Sequence, residues 1–531
     1  MKNLVIQLGV LCLLFLSTGC TTTEQKQKEP KKIKNLILLI GDGMGPQQIG
    51  LLESYAKLAP NSIYQGQNSA LSSLANNGFT GLSNHYPSNA LVVDSACSAT
   101  QIATGVASNS EMIGLNQYGE TVLTILERAK AQGKSTGLIS DTRLTHATPA
   151  AFAAHQIHRS LENRIAEQMV LGNQVDVMLS GGLRHFIPKE YQLTGQFDYE
   201  NALKQARLSL KSKRHDDKNI LKEAEALGYE LSFNREQLLA TKKDKVLGLF
   251  ANSAMQDGVA TRYQRNAEPN LTEMAKVALD KLANNPNGFF LMVEGGQIDW
   301  AGHNNDAGTL LHEMLKFDDM VKHVLAFAKE RDDTLVVVTA DHETGGFGFS
   351  YSGVNLPKAV QLDNDNQDTF KPSFNFGDVS ILDKLYQQSQ SYNSMWYSAA
   401  GTQSVPTKNA LMAAINQHSA FKVSSSDIDN ILNLQENTMQ VGGHKALDRK
   451  LSAKINDFSP FYVYIDQRPL NLIGRALSTQ QNIVWSTGTH THTPVPVFAF
   501  GPTNHAKHFS GFYHHLELGK KMQKVFINDA N

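Results

Sequence analysis

NLILLIGDG, residues 35–43, is the stretch that decides the fold. Leu36 to Ile40 form an unbroken apolar run that stops at a Gly-Asp-Gly turn. A strand with one wet face alternates apolar and polar residues. A continuous run of this length suits a parallel strand covered on both faces. The same design recurs in STGLISDT (135–142), VDVMLSGG (175–182), GFFLMVEGG (288–296), TLVVVTADHE (334–343) and VPVFAFGP (495–502). Between these runs lie helical patterns such as ETVLTILERAKAQG (120–133) and NLTEMAKVALDKLANN (270–285). The alternation predicts an α/β protein: a doubly wound, mostly parallel sheet sandwiched by helices.

The chain has 531 residues, 41% of them hydrophobic, enough for one large core with insertions. Lys+Arg 49 against Asp+Glu 50 gives no basic surface of the kind that draws nucleic acid, so no nucleic-acid-binding domain is expected. Residues 1–20, MKNLVIQLGVLCLLFLSTGC, combine Lys2, an apolar stretch and small residues, and predict an export signal. Its end, Ser17-Thr18-Gly19-Cys20, resembles a lipobox, with leucine one position early at Leu16. The expectation is a periplasmic protein held to the outer membrane, if at all, only by a lipid on Cys20. Residues 21–34 then form a polar tether. The catalytic domain is expected over 35–346 and 484–531. The Asn-, Gln-, Ser- and Tyr-rich stretch 347–483 is expected as an insertion acting as a lid or a subunit interface.

Ligands of open α/β sheets bind beyond the carboxyl ends of the strands. Asp42, Glu294, Asp341 and His342 all fall at such ends. Asp299 and His303, in IDWAGH, share a helix face at i,i+4, a good spacing for two zinc ligands. His490 and His492, in THTHT, point to one side of an extended segment, so periodicity does not choose between them. In VVDSACSAT (92–100), Asp94-Ser95 reads as a strand end entering a helix. Such a pair is ordinarily an N-cap, but a serine there also meets unpaired N–H groups suited to a phosphoryl group. HATPAAFAAHQIHR places Thr148 and Pro149 at a helix start, with Arg159 expected about three turns along, reaching back.

Taken in order, NLILLIGDGMG, VVDSACSATQIATG, HATPAAFAAHQIHR, MVEGGQIDWAGH, VTADHETGG and GTHTHTPVPVFAFGP resemble the motif blocks of the alkaline phosphatase family. The resemblance covers about 33–350 and 484–525 and leaves the stretch between unmatched. It implies hydrolysis of phosphate monoesters through a phosphoserine at Ser95, with Arg159 gripping the phosphate. It implies two Zn2+ per chain, one on Asp299, His303 and His490 and one on Asp42, Asp341 and His342. One Mg2+ is implied on Asp42, Thr148 and Glu294, and a homodimer is the implied assembly. His155 and His492 match no ligand. The chemistry is coherent: a serine hydroxyl needs help to ionise, and oxygen donors suit magnesium while imidazole with carboxylate suits zinc.

Two positions depart from the enteric bacterial pattern. His146 stands in place of an aspartate and Trp300 in place of a lysine, so the third metal and the hold on phosphate are the points they bear on. Together with Asp94 they form the expected surroundings of the phosphate. Cys97 is expected as a packed residue. A phosphodiesterase, mutase or sulfatase on the same fold is disfavoured by the oxygen trio and by SACSATQ, which lacks the sulfatase Pro and Arg pattern. A metal or phosphate scavenger would need no nucleophile.

Overall fold

The computed structural model describes residues 32–263 and 267–527. The expected export signal, Cys20 and most of the expected tether lie outside the described residues. Ten strands form the main sheet, in the spatial order Gly511–His514, Phe79–Asn84, Val495–Phe500, Thr334–Thr339, Asn35–Gly41, Phe289–Gly295, Ser135–Arg143, Val177–Gly181, Val246–Leu249, Glu230–Ser232. Asn35–Gly41 is central, parallel to both neighbours and buried along its whole length. Side chains of its two faces feed two separate apolar clusters, Ile37 and Leu39 in one, Leu36, Leu38 and Ile40 in the other. That division is why the run is continuous rather than alternating.

One expected strand runs the other way. Val495–Phe500 is antiparallel to both Thr334–Thr339 and Phe79–Asn84. An antiparallel strand starts where its parallel neighbour ends, so the reversal brings His490, just upstream, to the carboxyl edge. Register does the rest: Ser140 pairs with Glu294, Glu294 with Ile40, and Ile40 with Thr339. Asp42, Glu294 and Asp341 thus emerge along one edge.

Two local expectations are corrected. Leu91 and Val92 form an exposed bend before Ser95, not a strand. The helix carrying Thr148 is Ala147–Ala153 with His146 as N-cap, so Thr148 is not the cap and Arg159 is not on that helix. Ala154 turns extended, Gln156 bridges to Ile113, and the chain doubles back to deliver Arg159.

Within 347–483, residues up to about 378 are mostly exposed and include a short hairpin, Val360–Gln361 with Thr369–Phe370. The helices that follow bury Leu385, Tyr392, Met395, Ile415 and Ile473 in the same cluster as Met314 and Phe317 of the Ala307–Lys329 helix. No helix among the described residues is long and apolar enough to cross a membrane.

Candidate active site and metal centre

Ser95 opens the Ser95–Thr104 helix and is 1% exposed. Two N–H groups of that first turn are taken within the chain, because the Asp94 carboxylate accepts from Ala96 N and Cys97 N at 3.2 and 3.3 Å. The same carboxylate accepts from Glu111 N at 2.8 Å and from Arg159 Nη1 at 2.9 Å. Burial alone would raise Asp94, but Arg159 and these N–H groups outweigh it and hold the carboxyl below its ordinary value. Ser95 Oγ lies 3.2 Å from His342 Nε2. Cys97 is fully buried, its thiol against Ser108 O at 3.3 Å.

Three sets of donors gather at this edge of the sheet, one of them touching Ser95 through His342: Asp299, His303 and His490; Asp42, Asp341 and His342; Asp42, His146 and Glu294. Within each set the ligand atoms lie within 4.8 Å of one another. In the first set, His303 Nδ1 meets Gly488 O at 2.7 Å and His490 Nδ1 meets Val93 O at 2.8 Å. A carbonyl only accepts, so both Nδ1 atoms carry the proton and both Nε2 lone pairs, 3.2 Å apart, face one point beside Asp299. Asp299 is further held by Thr344 Oγ1 at 2.5 Å. In the second set, Gly43 N and His342 N donate to Asp341 Oδ1 at 3.1 and 3.0 Å. Gly43 has φ +75°, and a Cβ there would stand 2.7 Å from Asp299 Cα, so only glycine fits between the two sets.

The donor chemistry asks for cations. Asp42 Oδ1 and Oδ2, Asp341 Oδ2, Glu294 Oε1 and Thr148 Oγ1 are buried without a hydrogen-bond partner. Burial, then neighbouring carboxylates, pushes Asp341 up to about 8, and burial chiefly pushes Glu294 to about 7 and raises Asp42. His342 is held well below its ordinary value and His490 near 4, first by burial, so both imidazoles stay neutral and free to ligate. Buried carboxylates beside neutral imidazoles, with lone pairs converging, fit divalent metal ions. His146 enters here as a donor rather than only as a neighbour: its Nδ1 is buried and unpartnered, and its Nε2 accepts from Arg159 Nη2 at 3.2 Å. Ser140 Oγ, unforeseen in the sequence, donates to Glu294.

Trp300 stands edge-on to His146, ring centroids 6.0 Å apart. His492 is exposed, whereas His155 is tied to Gly114 O and Glu127. Two further residues came without a sequence signal, Asn471 and Tyr464. Asn471 Nδ2 donates to His303 O at 2.6 Å, and the Tyr464 ring stands edge-on to His303. Thr344 lies two residues after His342 in the same ADHETGG turn, and that proximity is its available signal.

The model of the family described as alkaline phosphatase matches residues 33–446. It therefore continues well into 347–483, further than the motifs alone carried the resemblance. Alkaline phosphatase 3 of Bacillus subtilis (strain 168) is 30% identical over 520 residues, spanning 95% of this chain and 93% of that protein. Among solved structures, the cold-active alkaline phosphatase from the psychrophile Shewanella sp. is 26% identical with a TM-score of 0.67, covering 93% of this chain and 100% of that one. Thermus thermophilus alkaline phosphatase, 24% identical, shares the fold with a TM-score of 0.75 over 98% of this chain and 96% of that one. A match that runs through every strand-end cluster, with a relative aligned over nearly its whole length, settles the kinship: the chain belongs to the alkaline phosphatase family.

Proposed function

We propose that this chain hydrolyses phosphate monoesters by passing the phosphoryl group to Ser95 and then to water. The observation that carries the reading is the position of Ser95 Oγ against His342 of one donor set, on the residue next to Asp94, which holds the Arg159 guanidinium. Asp299, His303 and His490 would hold one zinc ion, Asp42, Asp341 and His342 a second. Asp42, Glu294 and Thr148 would hold magnesium, with His146 at hand as a nitrogen donor. When bound, these ions supply the Lewis acidity that lowers the serine pKa and steadies the entering and departing oxygens.

The protein groups then have separable tasks. Ser95 Oγ attacks phosphorus, the ester oxygen departs with its bonding pair, and the resulting serine phosphate is cleaved by water. Arg159, kept charged and oriented by Asp94, neutralises the non-bridging oxygens. Burial of Ser95 removes bulk water from the nucleophile and strengthens each electrostatic contact. Replacing Ser95 with Ala should cost about a thousandfold or more in kcat for p-nitrophenyl phosphate, with metal content unchanged. Acid-quenched wild type should carry phosphate on Ser95. Near-normal turnover by Ser95→Ala would overturn the assignment.

Export to the periplasm and a lipid on Cys20 are proposed from residues 1–20, and a homodimer from the family resemblance. Changing Cys20 to Ser should move the protein from the membrane fraction to the soluble one; an unchanged distribution would exclude the lipid.

A further inference from the structure

The 347–483 segment returns to the catalytic centre at its far end. Phe461 O accepts from Thr487 Oγ1 at 2.8 Å and from Gly488 N at 3.3 Å. Gly488 presses on the Tyr462 ring so closely that a Cβ there would stand 2.7 Å away. Arg468 Nε donates to Tyr462 O at 2.8 Å. These contacts fasten the stretch around Tyr464 to the turn that carries His490. Asn471, a few residues on, holds the end of the helix that carries His303.

Among the exposed aromatic residues of this stretch, Phe458, Phe461 and Tyr464, it is Tyr464 whose ring meets a metal-type ligand. Its ring meets His303 at 88°, centroids 5.1 Å apart, yet the residue is 41% exposed, beside Ser95, Asp299 and His303, none above 6%. A clamped aromatic ring with uncovered surface at the rim of a buried centre has an apolar face available to a ligand.

In-line displacement fixes which part of a substrate reaches it. The nucleophile, Ser95, touches His342. The departing oxygen must lie on the opposite side of phosphorus, and of the other two donor sets only that of Asp299, His303 and His490 shares no residue with the set that Ser95 touches. A group attached to an oxygen on that side would have the Tyr464 ring, against His303, as a neighbour. Trp300 lies elsewhere, beside His146.

We propose that Tyr464 determines substrate specificity by receiving the leaving group on its ring, favouring phosphate monoesters of aromatic alcohols and of nucleosides over those of small alkyl alcohols. The proposal rests on the phosphomonoesterase reading above. It gives the 347–483 segment a direct part in catalysis.

The test is steady-state kinetics of the full metal-loaded chain and its Tyr464→Ala and Tyr464→Phe variants. The substrates are phenyl phosphate, adenosine 5′-monophosphate and glycerol 2-phosphate, with inorganic phosphate as inhibitor. Tyr464→Ala should lower kcat/KM for the two aromatic substrates about five- to tenfold, through KM, as expected for loss of one ring contact. The fall for glycerol 2-phosphate should be under about twofold. Tyr464→Phe should restore the aromatic preference, since the ring face remains. An equal fall on all three substrates, or a matching loss of phosphate inhibition, would overturn the proposal by showing that Tyr464 supports His303 or the phosphoryl site instead. No change on any substrate would overturn it as well. A wild-type chain without activity on any of the three would sink the phosphomonoesterase reading itself, a distinct outcome.

Discussion

At Asp94 one carboxylate accepts from two helix N–H groups, from Glu111 N and from Arg159 Nη1. Helix start, nucleophile and phosphate clamp are therefore set by a single side chain. The cost of this arrangement is that two N–H groups of the helix N-terminus are already taken, which on the proposed reading leaves more of the hold on phosphate to Arg159 and to metal charge. Arg159 also donates to His146, which stands edge-on to Trp300. Trp300 brings no positive charge to this place. Changing Trp300 to Lys should tighten competitive inhibition by inorganic phosphate about tenfold, the effect of one added ammonium near a dianion at intermediate dielectric. An unchanged inhibition constant would show that residue 300 does not sense the phosphate.

Elements matter where they place residues that sequence spacing misplaces. The short Ala147–Ala153 helix and the reversal after it bring Arg159 beside Asp94, which a longer helix would have prevented. The loop ahead of that helix is anchored by Glu162, which accepts from Arg143 Nε and Nη2 at 2.8 and 3.1 Å and from Thr145 Oγ1 at 2.7 Å, with His185 Nε2 at 3.2 Å. Burial would raise Glu162, but His185 and Arg143 outweigh it and hold the carboxyl well below its ordinary 4.5. An acid depressed in the folded state adds stability above its unfolded value and loses it as pH falls. Glu162→Gln should therefore be less stable than wild type at pH 7, by about 2 kcal/mol for charge-assisted hydrogen bonds lost at a partly buried pair. The gap should shrink steadily below pH 4.5. A gap independent of pH in thermal melts would place the effect in packing rather than charge.

Across the whole molecule, two apolar clusters sandwich the sheet, and the 347–483 helices extend one of them. The site sits at the edge where this apolar mass ends, and it concentrates Asp42, Glu294, Asp299 and Asp341 almost without access to water. Such a centre is unfavourable without cations, so metal binding and folding should be coupled. Removing metal with a chelator should lower the melting temperature and abolish activity. Zinc with magnesium should restore both, the stabilisation reaching about 4 kcal/mol when free metal exceeds its Kd a thousandfold. Identical melts with and without metal would contradict the cation reading of the three donor sets.

The central strands of the sheet and the places of its strand-end acids are legible in the sequence, whereas the edge strands and the reversal of Val495–Phe500 are not. Burial on both faces writes a continuous apolar run, and a turn must follow it, so Asp42, Glu294 and Asp341 are visible as strand ends. The i,i+4 pair Asp299 and His303 is visible for a similar local reason, since helix periodicity alone puts both on one face. Residues joined only across the fold were not legible in that way. The choice of His490 over His492 required the antiparallel strand and its pairing with Glu343–Thr344. The route of Arg159 required a helix end that no motif marks. Tyr464 and Asn471 carry no local signature at all, because their contacts with His303 span more than a hundred residues. Only the tertiary structure decides such meetings, since they depend on how separately formed elements pack and not on the pattern within any one of them.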